Sequence, residues 1–188
     1  MCQFQQFRFP SSDGSSSCYA GAWLPPEEPR GVVQIVHGVG EHIGRYETAA
    51  RFLTRQGFLV CGEDHLGHGN TVQDGRYGAF APQNGWKLVV ADIARLRRIQ
   101  GEKHPGVPYF LLGHSMGSFL TRTYLIDHPG TVDGAILSGT GQEPAPLVAF
   151  GKLLAGLECR RLGYDGVSPL VDRLSLGAYN RRFRPNRT

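Results

Sequence analysis

Between residues 31 and 138, short apolar runs alternate with longer stretches of helical spacing, and this alternation restricts the fold more than any other feature. Gly31-Val32-Val33-Gln34-Ile35-Val36 is β-branched and too apolar for a half-wet strand, which predicts a buried central strand. A glycine loop, His37–Gly44, leads into Arg45–Gln56, where Tyr46, Ala49, Ala50, Phe52 and Leu53 recur at helical spacing. Phe58–Cys61 reads as the next buried strand and runs into a second glycine-rich loop, Asp64-His65-Leu66-Gly67-His68-Gly69. Asn84–Lys103 is a long helix with apolar positions at Trp86, Val89, Val90, Ile93, Leu96 and Ile99, stopped by His104-Pro105-Gly106. A strand at Pro108–Leu112, a helix at Met116–Asp127 and a strand at Val132–Leu137 complete the series. Such alternation implies βαβ units: an α/β fold with a mostly parallel sheet and helices on both faces. Ahead of it, Phe4–Phe9 and Ser17–Leu24 flank the turn Ser11-Ser12-Asp13-Gly14 and predict a strand pair at the sheet edge.

After Leu137 the pattern changes. Leu147, Val148, Phe150, Leu153, Leu154 and Leu157 form an apolar helical stripe with no strand on either side. We read residues 1–142 as sheet core and 143–188 as the start of a lid-like excursion; an ordinary core helix is the plainer alternative. The 188 residues suffice for one domain with a core. No apolar run approaches the roughly 18 residues of a membrane span, and the start Met1-Cys2-Gln3-Phe4-Gln5 lacks the basic-then-apolar order of a signal peptide. The net charge of +4 is local: residues 1–150 carry 12 Lys/Arg against 13 Asp/Glu, whereas 151–188 carry 8 against 3, above all Arg181, Arg182, Arg184 and Arg187. Without an aromatic-lined basic face or a binding motif, no nucleic-acid partner is expected. Cys2, Cys18, Cys61 and Cys159 show no CxxC spacing, which fits reduced thiols in a cytoplasmic protein.

Gly113-His114-Ser115-Met116-Gly117 carries the chemistry. It lies between the strand Tyr109-Phe110-Leu111-Leu112 and the helix from Met116, where a nucleophile elbow has to be. The turn is so tight that side chains two before and two after the serine would collide, which accounts for Gly113 and Gly117. The helix start offers unbonded N–H groups and a positive dipole end to a developing oxyanion. His37-Gly38-Val39-Gly40 follows the buried strand 32–36, where this architecture places a second donor, so the oxyanion donors are read as the Val39 and Met116 N–H groups. A dinucleotide loop at Gly38-x-Gly40 fails on spacing, since Ile43 occupies the third glycine position. His65-x-x-His68 lacks carboxylate or cysteine partners at suitable spacing, so no metal is expected, and His37, His65, His68 and His114 are read as bonding locally.

His37-Gly38-Val39-Gly40-Glu41-His42 with Arg45-Tyr46, then Asp64-His65-Leu66-Gly67-His68-Gly69, then the elbow, together resemble the monoacylglycerol lipase and lysophospholipase branch of the α/β-hydrolases. The resemblance spans essentially the whole chain and is weakest at both ends. It implies an α/β-hydrolase fold and a cofactor-free serine esterase acting on single-chain lipid esters, with Ser115 as nucleophile and the excursion at 143–176 as the start of an acyl-binding cap. Peripheral membrane contact through that cap stays open, as do short-chain carboxylesterase, aminopeptidase and haloperoxidase-like activities that share the elbow. Ser118 stands where the family often has glycine, a change read as neutral.

A serine nucleophile needs a base and an acid, which in this fold follow it as Asp/Glu and then His. The only histidine after Ser115 is His128, 13 positions later. That places it about 20 Å away along the intervening helix at 1.5 Å per residue, out of reach of the hydroxyl. Its preceding acid, Asp127, is its immediate neighbour. The resemblance implies that both groups lie on loops after two further strands beyond the cap. We therefore expect the N-terminal part of a longer hydrolase: a sheet incomplete on its C-terminal side, an exposed edge prone to aggregation, and poor catalysis by this chain alone. The rival is a short pseudoenzyme that binds a lipid or protein partner; a nucleotide-binding oxidoreductase is a third reading.

Overall fold

The computed structural model describes residues 2–72, 74–175 and 177, so the basic cluster Arg181, Arg182, Arg184 and Arg187 lies outside the described residues. The chain forms two compact units, 1–140 and 141–188. In the first, β1 (Gln3–Pro10), β2 (Ser17–Leu24), β3 (Gly31–Val36), β4 (Phe58–Glu63), β5 (Tyr109–His114) and β6 (Gly134–Ser138) build one sheet in the order β1-β2-β4-β3-β5-β6. β1 and β2 form the antiparallel edge pair, and β4, β3, β5 and β6 run parallel. The alternation of strands and helices thus produces the mostly parallel sheet expected of it.

Every residue of β3 is buried, and its side chains alternate between two cores. Val32 and Val36 join Val89, Val90 and Ile93 of α2 (Gly85–Lys103) and Leu120 and Tyr124 of α3 (Met116–Asp127). Val33 and Ile35 pack with Ala50 of α1 (Glu47–Arg55) on the opposite face. This is the period-two pattern of a strand covered on both sides. Two details depart from the sequence reading. Ile43–Tyr46 forms a 3-10 turn, which delays α1 to Glu47. Trp86 is 38% exposed rather than part of the core face, its indole N–H donating to Thr123 Oγ1 at 3.1 Å.

β6 has a different environment. Among the described residues it pairs only with β5, and Ile136 and Leu137 are 56% and 38% exposed. The second unit contains α4 (Ala145–Leu162) and α5 (Pro169–Ser175), the latter missed by the sequence pattern. Neither helix has a buried residue; Glu158 joins them by accepting from Arg161 and from the Ser168 hydroxyl at 2.5 Å. Among the described residues no helix is long and apolar enough to cross a membrane.

Candidate active site

Ser115 stands at the junction of β5 and α3 with φ 52° and ψ −120°, a conformation that L-residues avoid. Its surroundings impose this. The Ser115 N–H donates to the Ser138 carbonyl at the end of β6 (2.8 Å), and its own carbonyl accepts from the Ser118 N–H (2.9 Å) and the Ser118 hydroxyl (2.6 Å). A Cβ at Gly113 would lie 2.5 Å from the Gly117 carbonyl oxygen and from Thr121 Oγ1. One at Gly117 would lie 2.6 Å from the His37 carbonyl oxygen and collide with that of Val36. The two glycines therefore let strand, turn and helix close on one another. Ser118 is fully buried, and its hydroxyl adds to the elbow carbonyl a second donor that a glycine would lack.

The loop after β3 meets this turn. A Cβ on Gly38 would be 3.2 Å from Ser115 Cβ and 3.3 Å from the His114 carbonyl oxygen. Glu41 holds the loop by accepting the Gly38 N–H (2.5 Å) and the Tyr46 hydroxyl (2.6 Å), with Arg45 at 3.3 Å on its other oxygen. Burial raises the Glu41 carboxyl, but these donors outweigh burial and keep it below its ordinary value. Val39, next in the chain, is half exposed beside the elbow, and Met116 opens α3, where the first-turn N–H groups have no intrahelical acceptor. Val39–His42 and Gly67–Asn70 face each other across a cleft of about 630 Å³.

The second glycine loop fastens the first. Asp64 accepts the Ile43 N–H (2.8 Å) on one carboxylate oxygen and the Asn70 N–H (2.7 Å) on the other. The histidines do not all bond locally as their sequence positions suggest. His68 Nδ1 meets the Leu66 carbonyl (2.9 Å), but His37 and His65 join residues 28 apart in sequence. The His65 N–H donates to His37 Nε2 (3.0 Å), His65 Nε2 lies 3.2 Å from the His37 carbonyl oxygen, and the two rings stack at 3.9 Å. Burial pushes both rings far down, to about 2 for His37 and about 3 for His65, so both are neutral at physiological pH. Neither Glu63 nor Asp64 at the end of β4 is available to a ribose: both are fully buried.

His128 caps the far end of α3, its N–H donating to the Tyr124 carbonyl (2.8 Å) and its ring against Tyr124. As N-cap and C-cap of the same helix, Ser115 and His128 stand about 20 Å apart along its axis. In the first unit the acids after Ser115 are Asp127, at the end of α3, and Asp133, which accepts the Tyr109 N–H at the opposite end of β5. Among the described residues no histidine hydrogen-bonds to the Ser115 hydroxyl. The nucleophile and oxyanion candidates are brought together, and among the described residues no base or acid joins them.

Comparison with known proteins bears on this geometry. Residues 27–164 match the family model described as Serine aminopeptidase, S33. The monoacylglycerol lipase of Mycolicibacterium smegmatis is 36% identical over 78% of this chain and 54% of its own length. The human monoglyceride lipase is 35% identical over 61% of this chain and 36% of its own. A thermostable carboxyl esterase from Bacillus coagulans superposes with a TM-score of 0.84 at 32% identity, covering all of this chain and 60% of that one. The chain thus spans between 36% and 60% of the length of these relatives. By its motif order, sheet and family match, the chain belongs to the serine aminopeptidase S33 family of α/β-hydrolases and resembles its monoacylglycerol lipases.

Proposed function

We propose that this chain is the nucleophile-bearing part of a serine esterase that cleaves single-chain lipid esters such as monoacylglycerols or lysophospholipids. The observation that carries the reading is the juxtaposition of Ser115, in its strained elbow, with the backbone of the His37–Val39 loop. A carbonyl carbon attacked by Ser115 Oγ leaves its oxygen between that loop and the start of α3, where the Val39 and Met116 N–H groups stabilise it. The acyl group passes to Ser115, the alcohol leaves with the proton taken from the serine, and water then releases the fatty acid. No metal or organic cofactor enters these steps.

The lipid specificity rests on the similarity to monoacylglycerol lipases and on the apolar stripe of α4, where Leu147, Phe150, Leu153 and Leu157 lie on a helix that we read as part of an acyl-binding cap. The proton-accepting histidine and its acid are assigned to polypeptide outside these 188 residues, because His128 lies at the wrong end of α3. Its position also supports the second reading, a non-catalytic binding protein of the same fold. A series of monoacyl esters of increasing chain length, assayed with the protein as its source produces it, separates the readings. Hydrolysis favouring long chains and abolished by Ser115→Ala supports the lipase. Preference for short soluble esters or aminoacyl amides replaces the substrate class. Lipid binding that survives Ser115→Ala without turnover supports the binding protein.

A further inference from the structure

Parallel pairing of Gln34 with Cys61 and Ile35 with Gly62 brings the ends of β3 and β4 together, so Glu63 falls beside the His37–His65 pair. Glu63 is fully buried, and its Oε1 lies 3.2 Å from His65 Nδ1. Among the described residues neither atom has another hydrogen-bonding partner. A hydrogen must lie between them, because two facing lone pairs would repel.

The fixed carbonyls around the pair show where that hydrogen resides. Gln34 Nε2 donates to the Ile93 carbonyl (3.1 Å), and Gln34 Oε1 accepts from the Tyr109 hydroxyl (2.7 Å), so the amide orientation is set. Glu63 Oε2, 3.4 Å from Gln34 Nε2, is consequently an acceptor. On the other side, His65 Nε2 faces the His37 carbonyl and must carry a proton to bond it. A neutral imidazole has only one N–H, which leaves His65 Nδ1 bare. Only a protonated carboxyl can face it.

We propose that Glu63 is a positioning residue, a neutral carboxylic acid whose Oε1–H donates to His65 Nδ1 and fixes the tautomer through which His65 holds the His37 carbonyl and the Val39 loop. The electrostatic surroundings agree. Burial pushes Glu63 far above the carboxylate range, with Asp92 and Asp64 adding to it, while burial and His68 push His65 down. Cys61 and Tyr109, two further titratable groups of this core, are also held in their neutral forms by burial. An ionised Glu63 would draw the ring proton to Nδ1 and strip the His37 carbonyl of its donor. The consequence for catalysis rests on the esterase reading, in which Val39 supplies an oxyanion donor; the tautomer does not.

Nitrogen-15 NMR of the histidine rings in the 188-residue chain, with carbon-13 NMR of the Glu63 carboxyl, tests this at neutral pH. We expect His65 with Nε2 protonated and Nδ1 bare, and Glu63 in the protonated carboxyl range. Glu63→Gln should preserve that tautomer, because its amide N–H replaces the acid O–H. Glu63→Leu removes the donor to Nδ1, so the His65 Nδ1 resonance should move to that of an unbonded ring nitrogen and the Val39 backbone amide should shift. An imidazolium or an Nδ1–H tautomer at His65, an ionised Glu63, or an unchanged His65 in Glu63→Leu overturns the assignment. Should Glu63→Leu fail to fold, the unsubstituted chain and Glu63→Gln still decide. Absence of reaction at Ser115 would count against the esterase and leave this result untouched.

Discussion

Strands β3 and β6 are both parallel, both apolar, and both end at the elbow, yet they occupy opposite environments. β3 has neighbours on each edge and helices on each face, and all six of its residues are buried. β6 has β5 on one edge only, and Ile136 and Leu137 remain open. Burial of an apolar strand is therefore a property of its neighbours, which the residues themselves do not encode. The polar groups follow the same division. At the closed end of β3 and β4, His65 bridges His37 and Glu63, while Glu41 and Asp64 accept the loop N–H groups of Gly38, Ile43 and Asn70; at the end of β6, Ser138 gives its carbonyl to Ser115 and its hydroxyl to His114.

The contrast can be broken most strongly at Gly117, where α3 touches the closed flank. Gly117→Val drives a branched side chain into the Val36 and His37 carbonyls, and a loss of about 3 kcal/mol or more is expected in urea unfolding. Little change would mean that α3 is not seated there. Next come two isoleucines in equivalent strands. Ile35→Ala, at 1% exposure, should cost about 3 kcal/mol, while Ile136→Ala should cost less than about 0.5 kcal/mol. Equal costs would mean that β6 is covered in the protein studied.

A third measurement concerns the protons of the closed flank. His37 and His65 are held below the ordinary 6.5, so the unfolded chain takes up two protons that the fold refuses as pH drops below that value. Glu63 is raised, so above about 4.5 the fold keeps a proton that the unfolded chain releases. Between about pH 6.5 and 5 the balance is one proton favouring the unfolded state, and stability should fall with acidification by about 1.4 kcal/mol per pH unit. Above about pH 6.5 only Glu63 remains, and stability should fall as pH rises by a similar slope. Glu63→Gln should flatten the alkaline limb and steepen the acid one. A profile flat from pH 5 to 8 would contradict the buried neutral groups. The smallest effect is expected at the open edge: Leu137→Lys should raise solubility at high protein concentration while changing stability by less than about 0.5 kcal/mol. Unchanged aggregation would show that β6 is not the exposed adhesive edge.

Much of this arrangement is legible in the residues. The Ser17–Leu24 strand and the Met116–Asp127 helix emerge at the bounds their punctuation predicts, because turn residues and glycines act locally. The elbow is legible as a motif, since Gly113 and Gly117 mark a tight strand-to-helix turn, although the contact that requires Gly117 is with the Val36 and His37 carbonyls of the neighbouring strand and loop. Other features depend on register. Glu63 lies past the Phe58–Cys61 run read as a strand, and only the extension of β4 to Glu63 and its pairing with β3 set it against His65. Ser118 looks like a small helix residue until its hydroxyl is seen on the Ser115 carbonyl. The lone signal for Glu63 was a charged residue two positions after an apolar run, where solvent exposure is the ordinary outcome. The residues of β6 are those of a buried strand and give no sign of its exposure; the open edge was expected from the missing strands that the family resemblance implies.

The central claim, a poised serine whose base lies outside these residues, is tested most directly by fluorophosphonate labelling of the protein as its source produces it, read by intact mass and adduct location. The account predicts one adduct, on Ser115, in a species heavier than 20.6 kDa. A 20.6 kDa species that fails to label would contradict the enzyme. Rapid labelling of Ser115 in a species of that mass would contradict the missing base.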